Sequence, residues 1–184
     1  SNLLTIPDQE KLAQRLCQIS FADKAFFCSS GLEAVECAIK MMRQYHFCQK
    51  KNENSEIISL KNSFHGRTMT ALALGGNEFC KKGFGPFPQG FKHVESENII
   101  QLSQAINPNT AGIIIEPVQS EGGVIPLTQG YLQQVRKLCD EKNILLCFDE
   151  VQTGYGRTGK LFAYQNYEVE PDLAIFGKSL GNGY

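Results

Sequence analysis

The chain has 184 residues, 42% of them hydrophobic, and a formal net charge of -1. That length suits one domain with a sizeable core, and the near-neutral balance gives no electrostatic footprint for nucleic acid or an anionic membrane surface. No apolar run approaches the roughly 20 residues that span a bilayer, and Ser1 to Asp8 lacks the basic segment and apolar core of a secretory signal.

In chain order, "DQEKLAQRLCQIS" predicts a helix, with Asp8 after Pro7 as its cap and Leu12, Leu16 and Ile19 at helical spacing. "KAFFCS" reads as a short strand running into "SSGLEAVECAIKMMRQYHFC", whose Leu32, Val35, Ile39 and Met42 make an amphipathic helix opening at Ser30-Gly31. "EIISL" is a strand, "KNSFHGRTMTAL" a polar segment, and "KKGFGPFPQGF" an irregular loop because it is rich in Gly and Pro. Then follow a short helix "ENIIQLSQAI", a strand "AGIIIEP", a helix "TQGYLQQVRKLCDEKN", and the strands "ILLCFDE" and "DLAIFGK". Almost wholly apolar strands separated by helices indicate an α/β fold, a mostly parallel sheet with helices on both faces. Ligands of such sheets bind outside the carboxyl ends of the strands, which is where the polar residues of this sequence gather.

Seven cysteines, an odd number without a CxxC pair, make neither a disulfide framework nor a metal-ligand pattern. Cys28, Cys37, Cys139 and Cys147 lie in apolar runs, where cysteine acts as a small hydrophobe. A reducing, cytoplasmic compartment and no bound metal are the expectations.

Five stretches carry chemistry. In "CSSGLEAVE", Gly31 lets the backbone approach a ligand, and the helix start offers free N–H groups and a positive dipole end to a phosphate; an ordinary Ser N-cap explains the same residues. In "NSFHGRT", Phe64 can stack on an aromatic ring, His65 can flank it and Arg67 can pair with a carboxylate; a surface loop with one buried aromatic is the plainer reading. "IIIEPVQSEGG" sets Glu116 and Glu121 along a loop leaving a strand, as binding groups or as the strand's exit to water. Asp149 in "CFDEVQTG", held at a strand end, can keep a pyridine nitrogen protonated, and Gln152 three residues later can reach a ring hydroxyl. Lys178 in "FGKSLG" follows an apolar run, so a partly desolvated amine able to form a Schiff base is expected there, against the alternative of a solvated surface lysine.

The order of these pieces resembles pyridoxal-phosphate enzymes of the aspartate aminotransferase fold, and more narrowly the class III aminotransferases. "SSGLEAVE", "FHGRT", "IIEPVQSEGG", "FDEVQTGYGRTGKLFAY" and "PDLAIFGKSLGNGY" match that family's blocks in order. "SNLLTIPDQEKLAQRL" and "FHGRT" are most similar to its acetylornithine and succinylornithine branch. The resemblance implies pyridoxal 5′-phosphate as cofactor, with Lys178 as its covalent anchor and proton carrier. Asp149 would sit at the pyridine nitrogen, Gln152 at the ring hydroxyl and Phe64 on the ring face, with His65 beside it. Ser30, Gly31 and Leu32 would hold the phosphate, Arg67 the substrate α-carboxylate, and Glu121 would organise the substrate pocket with Glu116 supporting from behind.

The reaction implied is amino transfer from N-acetylornithine to 2-oxoglutarate in arginine biosynthesis. Ornithine, succinylornithine or 4-aminobutyrate transamination, or a non-catalytic remnant of such an enzyme, are the alternatives. Two positions depart from the family pattern. Leu32 stands where a small residue is usual, so its side chain is expected either to crowd the phosphate or to turn into the core; Ser120 replaces a usual Gly and is expected to restrict its loop. The resemblance further implies that an N-terminal segment and a small C-terminal domain are missing. Residues 1–184 would then be the truncated cofactor-binding large domain of a homodimeric parent, weak or inactive as a catalyst by itself.

Overall fold

The computed structural model describes residues 4–183. Ser1 to Leu3, where the "SNLLTI" block begins, and Tyr184, where "GKSLGNGY" ends, lie outside the described residues. Five strands form one parallel sheet: β1 (Glu56–Leu60), β2 (Phe91–Val94), β3 (Thr110–Ile115), β6 (Leu145–Asp149) and β7 (Leu173–Ile175), in the spatial order β2-β1-β3-β6-β7. A separate antiparallel pair, β4 (Val118–Gln119) and β5 (Ile125–Pro126), folds the segment after β3 back on itself. The helices are α1 (Pro7–Ile19), α2 (Gly31–Lys50), α3 (Met69–Leu74), α4 (Ile99–Ala105), α5 (Gln129–Lys142) and α6 (Tyr164–Tyr167).

Side chains alternate across a strand, so the apolar strands feed two cores. On one face Ile58, Leu60, Ile113, Ile115, Leu146 and Phe148 meet Leu102, Leu132, Val135 and Leu138 of α4 and α5. On the other Ile57, Ile114, Cys147 and Ile175 meet Val35, Ala38, Ile39 and Met42 of α2 and Ala71 and Leu74 of α3. This is the expected parallel sheet covered on both sides. Cys139 and Cys147 are buried in it, and burial pushes the Cys139 thiol up to about 12 and that of Cys147 well up, so both stay neutral. Cys28 and Cys37 are only half-buried.

The structure corrects four local expectations. "KAFFCS" makes no ladder; residues 24–28 are irregular and Phe26 is exposed. Asp8 is not a cap: Pro7 takes the first helical turn, Ile6 precedes it, and no side chain caps the end. The close of the Gly/Pro-rich stretch becomes β2, registered Ile57 to Phe91 against β1. The polar segment after β1 ends in the short helix α3, capped by Thr68 Oγ1 accepting the Ala71 N–H at 3.1 Å.

Phe148 is fully buried in the core cluster that also holds Ile115, Leu146 and Phe162. Phe148→Ala in the full-length protein should lower unfolding stability by about 3–5 kcal/mol, a cavity effect read from urea denaturation.

Candidate active site

Because β1, β3, β6 and β7 are parallel neighbours, the loops leaving them open on one edge of the sheet. They deliver Phe64, His65 and Arg67 after β1, Glu116 after β3, Asp149 at the end of β6 and Lys178 after β7. The order reverses between β1, whose next strand lies on one side, and β3, which lies on the other. Such a switch point opens the crevice where α/β sheets bind ligands. The start of α2 reaches the same edge: a Cβ on Gly31 would lie 2.9 Å from Val151 Cγ1, and one on Gly177 would lie 3.1 Å from Gly31 Cα. Only glycine at both positions lets the helix start pack this closely against the segments carrying Asp149 and Lys178.

At that helix start, Ser30 Oγ accepts the Glu33 N–H at 3.1 Å as the N-cap, and Glu33 Oε2 accepts the N–H of the preceding Ser29 at 2.7 Å. The Ser30 hydroxyl is therefore used as a cap, as the plainer sequence reading had it. The N–H groups of Gly31 and Leu32, the first two of the helix, have no carbonyl four residues back within it and keep the anion-binding capacity of a helix N-terminus. The Leu32 side chain packs against Gly66, where a Cβ would meet its Cδ1 at 2.3 Å, and against the core under α2. Of the two outcomes expected for Leu32, the inward one holds. Ser120 adopts no left-handed backbone, so the glycine it replaces is not needed for that purpose.

Asp149 is buried, and both its oxygens have partners. Oδ2 faces His65 Nδ1 at 2.8 Å and Oδ1 accepts the Val151 N–H at 3.1 Å; each oxygen retains a second lone pair for a further donor. The His65 side chain is 0% exposed. Burial works against its cation, but the hydrogen bond and charge of Asp149, with Glu116 adding, outweigh it and push the imidazole pKa up. His65 Nε2 is buried with no partner among the described residues. Glu116 Oε2 accepts the backbone N–H of half-buried Phe64 at 2.9 Å.

Glu150, next to Asp149, points the opposite way. It is fully buried and accepts the N–H groups of Ala163 at 2.6 Å and Tyr164 at 2.8 Å. Its burial raises the carboxyl pKa against those two bonds. One carboxylate of the pair thus serves the site and the other holds the chain entering α6.

The remaining candidates are open to solvent. Arg67 is exposed, with its guanidinium 5.9 Å from the Phe64 ring centre, and Glu121 is exposed. Lys178 is exposed as well, a correction to the desolvated pocket expected for it, because its left-handed backbone (φ 41°) turns it out of the sheet edge. Its ammonium donates to Gln152 Oε1, which ties together the two residues that the spacing had treated separately. Arg157, not singled out from the sequence, donates from Nε to Ser179 Oγ at 3.1 Å and so steadies the turn that carries Lys178. The Gly-Arg-Thr-Gly run around it was the available signal. No cluster of His, Cys, Asp and Glu fit for a metal occurs among the described residues.

The profile of the "Aminotransferase class-III" family matches residues 1–184. The chain belongs to the class III aminotransferases. Their cofactor is pyridoxal phosphate, and the residues present fit it: free helix N–H groups for an anion, an aromatic face, a buried carboxylate with spare lone pairs and a reachable amine. The chain is 51% identical over 184 residues to acetylornithine aminotransferase 1 of Bradyrhizobium diazoefficiens, covering all of this chain and 45% of that protein. Among solved structures it resembles the ornithine aminotransferase of Toxoplasma gondii, with a TM-score of 0.91, 34% identity and coverage of 98% of this chain and 44% of that one. It also resembles N-acetylornithine aminotransferase from Stenotrophomonas maltophilia K279a, with a TM-score of 0.83, 35% identity and coverage of 99% of this chain and 45% of that one. The chain thus spans a little under half the length of the relatives it matches.

Replacing Glu150 by Ala should unfold the chain around α6, lowering stability by about 1–3 kcal/mol in denaturant titration. Cofactor affinity should follow only to the extent that folded protein is lost, since this carboxylate faces away from the site.

Proposed function

We propose that the full-length protein transaminates N-acetylornithine with 2-oxoglutarate in arginine biosynthesis, as a cytoplasmic homodimer. The observation that carries this reading is the convergence of Asp149, Lys178, Gln152 and the start of α2 on one edge of four parallel strands. The naming of the relatives as acetylornithine aminotransferases at about half identity supports the substrate. Exposed Phe26, Met41, Phe79 and Phe84 supply apolar surface suited to a partner subunit.

When bound, pyridoxal phosphate supplies a conjugated ring that withdraws electrons from the substrate Cα. The protein supplies everything that directs it. Gly31 and Leu32 donate backbone N–H groups to the phosphate at the positive end of α2. Phe64 covers one ring face. Asp149 would accept a hydrogen bond from the protonated pyridine nitrogen and so keep the proton there, while His65 and the Val151 N–H fix its oxygens and exclude water from that end. Lys178 would hold the cofactor through its amine and, when that amine is free, would carry the proton taken from the substrate Cα. Gln152 holds the ring hydroxyl and meets the Lys178 ammonium in the absence of substrate. Arg67 receives the α-carboxylate as a charged pair, and Glu121 faces the distal part of the substrate.

The likeness to an ornithine aminotransferase structure favours ornithine as the competing donor. Values of kcat/KM for N-acetylornithine, N-succinylornithine, ornithine and 4-aminobutyrate in the full-length protein decide between them, with N-acetylornithine expected to lead. A higher value with free ornithine would replace the proposed substrate but leave the reaction class intact. Lys178→Ala should lower kcat about 10³-fold or more. Borohydride reduction of the wild-type holoenzyme should label Lys178, and a label elsewhere would overturn its assignment. Arg67→Ala should raise KM for the amino acid by about 10- to 100-fold with a smaller change in kcat, as expected for a group that binds substrate and transition state alike.

A further inference from the structure

Glu116 is the one buried carboxylate of the site to which the proposed reaction gives no task. It is 6% exposed at the exit of β3, between two elements of the candidate site. Its Oε2 accepts the backbone N–H of Phe64 at 2.9 Å, the Ser120 N–H lies close enough to favour its ionised form, and its charge is felt by His65 and Asp149. We propose that Glu116 is a positioning residue whose negative charge, behind Phe64, holds the stacking loop in place and favours a proton on the line from His65 through Asp149 to the cofactor nitrogen. The inference rests on the reading that Phe64 and Asp149 meet the cofactor ring.

The geometry separates this role from simple structural support. A carboxylate serving only as acceptor for the Phe64 N–H could be an amide at that position without loss. Burial instead makes the charge unfavourable for folding: it pushes the Glu116 carboxyl up to about 7, outweighing the opposing pull of His65 and the Phe64 N–H, while the nearby Asp149 charge adds to the rise. The titratable groups that face Glu116 are His65, from the loop after β1, and Asp149, at the end of β6; Glu121 on its own loop is exposed. A group whose folded pKa lies above its unfolded value stabilises the fold in its protonated form. That contribution is complete below the unfolded pKa and is lost as pH rises through the folded one. In the neutral range Glu116 therefore gains the charge that serves the ring while it weakens the fold.

The test uses full-length wild type, Glu116→Gln and Glu116→Asp. Apoprotein is titrated with pyridoxal phosphate across the neutral range, with melting temperature and borohydride labelling measured in parallel. Near pH 8.5, E116Q should bind the cofactor about tenfold more weakly than wild type, yet melt at a higher temperature because an unfavourable buried charge is gone. Near pH 6, where wild-type Glu116 is largely protonated, the affinities should converge to within about twofold. E116D, which keeps the charge, should retain the pH-dependent advantage even if its absolute affinity falls. An affinity ratio between E116Q and wild type that is the same at every pH would overturn the proposal and leave the site reading standing. A label outside Lys178 in the wild type would overturn both.

Discussion

Parallel pairing of β1, β3, β6 and β7 is the constraint on which the rest of this molecule depends. Parallel neighbours need long crossovers, so helices occupy both faces and the strands must be apolar on both sides. The only places left for polar groups are the strand ends. All carboxyl ends then fall on one edge, and residues far apart in sequence, His65 and Asp149 among them, come within hydrogen-bond distance. The site is therefore a consequence of topology before it is a set of residues. The same topology brings the start of α2 there, since a helix leading into a parallel strand begins at that strand's carboxyl end.

The Asp149-Glu150 pair shows how finely this edge is divided. Two adjacent carboxylates leaving one strand are sent to opposite sides, one to His65 and the Val151 N–H, the other to the N–H groups of Ala163 and Tyr164. Each is buried, and each is balanced by donors; an unbalanced buried carboxylate would neutralise or destabilise the fold. Glu116 is the less well balanced third member, accepting the Phe64 N–H with the Ser120 N–H nearby and lying near a second negative charge. Groups arranged this way, expensive for stability and placed beside a ligand site, are characteristic of function.

The fold class and the site edge were legible because they rest on long, strongly patterned segments: the Val35, Ile39, Met42 stripe of α2 and the near-continuous apolar runs of β3 and β6. The failures were local. "KAFFCS" has strand-forming residues, but strand propensity expresses partners, and residues 24–28 pair with no strand of the sheet. β2 was hidden because only four residues follow a Gly- and Pro-rich loop, and its register with β1 is a long-range property. α3 is six residues long, too short for a period to show. Within the site, residue types at strand ends were readable, whereas directions were not. Nothing in "FDEVQ" says that Asp149 and Glu150 diverge, and nothing in "FGKSLG" says that Lys178 takes a left-handed turn into solvent.

Burial across the site runs as a gradient, and the gradient follows chemistry. The end holding Asp149, His65 and Glu116 is closed by the sheet itself, while Arg67, Glu121, Lys178 and the α2 cradle with Ser30 open outward. On the proposed reading, a cofactor nitrogen that must keep its proton would gain from a closed, water-poor setting, since low local dielectric would strengthen its pairing with Asp149. On the same reading, an amine that would exchange partners with each substrate, and an arginine that would admit one, need access and freedom to move. The closed end is built from strand termini and cannot change without disturbing two cores. The open end is built from loops, so differences in substrate among proteins of this architecture would be written there, in the segments around Arg67 and Glu121, and not at Asp149.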